Sequence, residues 1–168
     1  MVDPAFVRTM ARYNAWQNES LMAAAQTLTD DARKLDRGAF FKSIHGTFNH
    51  VLWADEVWLN RLVGTEKPAV GGRDSASYFE GWDQFCARRR QRDRVILEWA
   101  ESVHPDWWRG PLIWYSGAAG REMGKPRAFV IAHLFNHQTH HRGQIHAMLT
   151  AAGATPGDTD LFLVDEAR

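Results

Sequence analysis

The sequence predicts an all-α protein, a four-helix bundle with a short irregular or β segment between its third and fourth helices. Three observations carry this. Four long segments repeat apolar residues at helical spacing. Each is bounded by residues that start or stop helices. One stretch, before the fourth segment, breaks the periodicity with Gly and Pro. With 168 residues, 45% hydrophobic and 24% charged, the chain suits one domain, residues 1–168, with a real apolar core.

The first helix opens at "VDPAF", where Asp3 can cap and Pro4 fits the first turn. Phe6, Met10, Tyr13, Gln17, Leu21, Ala24 and Leu28 then mark a mostly apolar face. "TDDARKLDRGAF" reads as a polar connection. The second helix runs through "SIHGTFNHVLWADEVWLNRLV", with Ser43 as cap and Gly64 as stop. Its stripe is Ile44, Phe48, Val51, Leu52, Trp58, Leu59 and Leu62, and Asp55 falls awkwardly near the middle of it. "TEKPAVGGRDS" is a linker.

The third helix is expected over "ASYFEGWDQFCARRRQRDRVILEWAESV". Its "RRRQRDR" run reads as a solvated face, not a nucleic-acid patch, because Asp93 interrupts it and acids elsewhere offset it. "HPDWWRGPLIWYSGAAGREMGKP" follows, with "PLIWYS" as a short strand and "SGAAG" as a turn. Three tryptophans in so long a connection suggest a cover over something. The fourth helix begins near Pro126 and ends near Gly153.

Charge and cysteine content exclude several classes. Lys plus Arg and Asp plus Glu balance at 20 each, so no net field draws in nucleic acid or an anionic membrane. No apolar run is long enough to span a bilayer. A single cysteine rules out an internal disulfide framework, and the start of the chain lacks a basic-then-apolar signal pattern. A cytoplasmic location is therefore expected.

The fourth helix carries "HLFNHQTHHRGQIH", which holds five of the eight histidines. With Phe129 at zero on a helical wheel, Val130, Leu134, His141, Ile145 and Met148 fall between about 100° and 160°. His137 stands at about 80°, at the edge of the same arc. His137 and His141 therefore stack one turn apart on the inner face. Such a pair can converge on a divalent ion, or it can be two hydrogen-bonded core histidines. Gln138 replaces the glutamate of H-E-x-x-H, which removes the zinc-protease base. His133 and His140 flank the arc, while Arg142 and His146 point to the far side. A metal site needs a third ligand from another element, with His45, His50 and His104 as candidates.

"FFKSIHGTFNHVLWADEVWLNRL" together with "HLFNHQTHHRGQIHAMLTAAGATPGDTDLFLVDE" resembles the DinB family of damage-inducible helical-bundle proteins. The likeness extends over nearly the whole chain, including "ARYNAW" and "PGDTDL". It implies a bundle with a metal held by three side chains at one end, one from the "NH" of the second helix and two from the fourth. By position these are His50, His137 and His141. Some thiol-dependent relatives carry a glutamate as the middle ligand; His137 makes the present set neutral. The resemblance also implies a homodimer and a relation to thiol-dependent S-transferases.

The resulting expectation is a divalent-metal-dependent enzyme acting on small electrophiles, with zinc or nickel as the metal and a low-molecular-weight thiol as co-substrate. The alternatives are a non-catalytic metal-binding stress-response dimer and a metal-dependent hydrolase. Its partner is a small-molecule substrate, not nucleic acid or membrane. Asp55, His133 and Gln144 are the candidate catalytic assistants. Cys86 reads as a buried, inert thiol. Arg142 is expected to pair with Asp158 or Asp160 and pin the tail.

Overall fold

The computed structural model describes residues 2–117 and 119–164. Four long helices form the body: α1 (Pro4–Gln26), α3 (Ile44–Val63), α4 (Trp82–Ser102) and α5 (Arg127–Ala151). A short α2 (Asp30–Lys34) sits in the polar connection, capped by Thr29. An antiparallel hairpin, β1 (Pro111–Ser116) and β2 (Arg121–Pro126), occupies the segment before α5. α1 packs on α4 and α5, and α3 packs on α5 and α4, closing a ring of four. Among the described residues, no helix is long and apolar enough to cross a membrane.

The helix ends follow local chemistry. Asp3 accepts from the Phe6 N–H at 2.8 Å, and Ser43 accepts from Gly46 at 3.0 Å. Gly64 ends α3 in the left-handed conformation, with φ +74°. The expected start of the third helix at Ala76 is corrected. Residues Gly72–Ser77 form a 3-10 turn, and α4 begins only at Trp82. The reason lies on α3: Asn49 bonds both the N–H and the carbonyl of Phe79, and His45 Nε2 donates to the same carbonyl at 2.7 Å. Those backbone groups are committed to side chains and cannot join a helical ladder.

The core is divided by height. One apolar cluster gathers Leu21, Phe48, Leu52, Phe85, Ile145 and Leu149; the other gathers Val7, Leu59, Ile96, Ile131, Leu134 and Phe135. Between them every long helix contributes buried polar residues: Asn14 and Asn18, Asp55, Arg89 and Asp93, Gln138 and Arg142. Asp55 accepts from Arg89 at 2.7 Å and from Gln138 at 2.9 Å. Asp93 faces Arg89 at 2.8 Å and accepts from Asn14 and Asn18. Arg142 donates to Asn14 and to Thr139. The layer holds two acids, both on Arg89, and a second guanidinium in Arg142, so its formal charges balance.

This layer corrects two expectations. The "RRRQRDR" run is a solvated face only at Arg90, Gln91 and Arg94: Arg89, Arg92 and Asp93 are buried, and Arg88 and Arg92 both bond the buried Glu56 carboxylate. Arg142 does not point away to Asp158 or Asp160; it turns inward to Asn14. Burial pushes its guanidinium down to about 10, so it stays charged at neutral pH. The tail is held by α1 instead. Tyr13 donates to the Thr159 carbonyl at 2.7 Å and Gln17 to that of Asp158 at 2.8 Å. Charged side chains enter this core because partners of opposite sign on neighbouring helices satisfy them there.

Candidate metal centre

α3 and α5 run antiparallel, so His50 on one meets His137 and His141 on the other. One ligand-capable nitrogen from each of the three lies within 4.8 Å of the other two. The ring centroids stand 5.3 Å (His50–His137), 4.9 Å (His50–His141) and 4.5 Å (His137–His141) apart. His50 Nε2 and His137 Nε2 are 3.3 Å apart. Two nitrogens bound to one tetrahedral zinc stand about 3.3–3.4 Å apart, from bond lengths of about 2.0–2.1 Å. The separation found therefore suits two ligands of one ion.

Hydrogen bonds behind the rings orient two of them. Ser75 donates its hydroxyl proton to the Gly72 carbonyl at 2.8 Å, so it accepts from His50 Nδ1 at 2.9 Å. This holds the His50 proton on Nδ1 and leaves the Nε2 lone pair facing the centre. Gln144 does the same for His141, with Oε1 2.8 Å from Nδ1. His137 Nδ1 is buried and has no hydrogen-bond partner among the described residues. Phe41 stacks on His50 at 3.7 Å between centroids. That contact needs Gly46, because a Cβ there would come within 2.5 Å of the Phe41 carbonyl oxygen.

The electrostatics keep all three imidazoles neutral at neutral pH, the form that binds metal. Burial, then the neighbouring His141, pushes His50 down to about 4. Burial, then the three histidines around it and His140, pushes His137 down to about 3. His141 is also lowered by burial, with the Gln144 bond working the other way. The group can hold a divalent metal through three neutral nitrogens, which leaves coordination positions open.

The remaining candidates take other places. His45 is buried and committed to Phe79, and His104 is exposed beside Asp106. Asp55 touches none of the three histidines; it is the carboxylate that balances Arg89 in the polar layer. His133 stands at the rim, its ring 5.3 Å from Trp58 and 5.7 Å from His137. Gln144 engages His141 and, at 3.3 Å, His140. Sequence reasoning missed Ser75 and Phe41. Ser75 sits in a linker that carries no motif. Phe41, two residues before the Ser43 cap, lies between the polar connection and the second helix and carries no motif of its own.

Comparison with known proteins agrees with the geometry. Protein DinB of Bacillus subtilis (strain 168) is 26% identical over 165 residues, which cover 94% of this chain and 92% of that protein. No solved structure matches the chain. The DinB family model matches residues 1–167, so a histidine-bearing helical bundle of this kind, read first from spacing and then from contacts, belongs to the DinB family.

Proposed function

We propose that the chain is a divalent-metal-dependent enzyme of the S-transferase kind, joining a low-molecular-weight thiol to a small electrophile. The observation that supports it most is the neutral three-nitrogen cluster of His50, His137 and His141, with ligand atoms within 4.8 Å of one another. Zinc or nickel fits an all-imidazole set. Bound there, such an ion supplies the positive charge that keeps a thiol deprotonated at neutral pH. His50 and His141 hold their lone pairs inward through Ser75 and Gln144. Phe41 covers one side of the His50 ring and limits access of water. His133 and Gln144 line the approach, and Asp55 acts through the bundle's polar layer and not on substrate. A homodimer and a cytoplasmic location are part of this reading.

The test pairs metal analysis with turnover. Untagged wild-type protein is expected to carry close to one divalent ion per chain, and His141→Ala to lose most of it. Metal-loaded protein, given a small thiol and an aromatic halide electrophile, should form the thioether; stripped protein should not. Metal binding without conjugation would support the non-catalytic alternative, and turnover with water alone would support the hydrolase.

A further inference from the structure

Arg61 lies eleven residues beyond His50 on α3. That is about 20° around the helix and about 16 Å along it, so both project from one face. Its guanidinium carbon stands 4.4 Å from the Trp58 ring centroid and 5.4 Å from that of Trp114 on β1. The two indoles meet edge to face at 5.4 Å. Trp58 also abuts His133, which abuts His137. An unbroken row of rings thus joins this cation to the histidine centre.

Arg61 has no carboxylate partner and no hydrogen bond to protein among the described residues. The α4 arginines Arg88, Arg89, Arg90 and Arg92 all face acids, whereas Arg61 lies against two indoles. It is half-buried, and burial alone lowers its pKa, as for a cation without a counter-charge in the protein. Indole rings offer no hydrogen-bond acceptor, so the N–H groups of Arg61 have none among the described residues, and their fork matches a carboxylate in two parallel hydrogen bonds.

We propose that Arg61 recognises a carboxylate at the far end of the small molecule whose other end reaches the three histidines. This rests on the metal–thiol reading above and narrows it: the thiol co-substrate is an anion. A side chain on a helix leans toward the N-terminus, so Arg61 reaches back toward His50. The distance to be spanned is then roughly 10–15 Å.

The experiment titrates cobalt-loaded protein with ω-mercaptoalkanoic acids of increasing chain length and with their methyl esters, following the sulfur-to-cobalt absorption band. Short acids and esters should bind alike. Once the chain can span to Arg61, the acid should bind about tenfold tighter than its ester, as expected for a charge-assisted bidentate contact. Arg61→Gln should erase that preference while leaving the affinity for esters unchanged, and Arg61→Lys should restore part of it. An Arg61→Gln variant that loses acid and ester affinity equally, with a lowered melting temperature, would reduce Arg61 to a clamp for the hairpin and overturn the inference. So would wild-type protein that binds acids and esters alike at every length. Absence of the band with every thiol would instead overturn the metal–thiol reading, and this inference with it.

Discussion

Replacing Ser75 by Ala tests whether the hydrogen bond behind His50 tunes the metal centre. The hydroxyl is fully buried and accepts from His50 Nδ1 at 2.9 Å. Without it the ring loses what keeps its proton off Nε2, the nitrogen that faces His137 at 3.3 Å. A lost hydrogen bond of this type is worth about 1 kcal/mol, and lost partners behind metal ligands cost about 10–100-fold in affinity. His50 is only partly buried, so water can replace part of the bond, and the lower end applies: about tenfold weaker zinc binding. Competition against a chromophoric chelator at neutral pH measures this directly. Ser77→Ala is the control, since Ser77 lies in the same 3-10 turn but bonds only Asp74. Wild-type zinc affinity in Ser75→Ala would refute the reasoning. An equal loss in Ser77→Ala would trace the effect to the turn and not to the imidazole.

Two further outcomes follow from the buried groups. Asp55→Asn removes one charge from a pair in which both members are almost fully buried, and should cost about 3–5 kcal/mol in urea unfolding; a loss below about 1 kcal/mol would show that Asp93, 2.8 Å from Arg89, suffices as its counter-charge. Burial pushes the Cys86 thiol up to about 11, so it stays protonated at neutral pH and alkylation should accelerate only as pH climbs toward that value. Iodoacetamide labelling followed by mass spectrometry should be slow in native protein and fast in urea, and equal rates would contradict the burial.

The bundle and the histidine pair were legible because both rest on periodicity. Spacing of four puts His137 and His141 on one face whatever surrounds them. The choice of His50 over His45 was not legible from spacing, since both lie on α3 near its start. What separates them is distant in sequence: Phe79 occupies His45, and Ser75 turns His50 toward α5. The wheel erred on Arg142 because α5 is covered on two sides, by α3 and by α1, and the far side meets Asn14; the "RRRQRDR" reading erred because it took charge as a mark of solvent. Asp55 in the middle of an apolar stripe was the available signal. A carboxylate forced into the core demands cations from neighbouring helices, and the arginines of α4 are those cations.

The polar layer also bears on how the centre is assembled. Apolar side chains along α3 and α5 are interchangeable enough to tolerate a slide of one helix along the other. A slide of one turn, about 5.4 Å, would carry His137 and His141 out of reach of His50. Hydrogen bonds are directional and do not tolerate such a shift. Gln138 and Arg142 alternate along α5 with the two histidines, one residue on from each. Through them α5 is tied to Asp55 on α3 and to Asn14 on α1. Both the height and the rotation of α5 are thereby set. The buried charges contribute little net stability compared with an apolar replacement. Their effect is to select the single register in which three imidazoles from two helices converge.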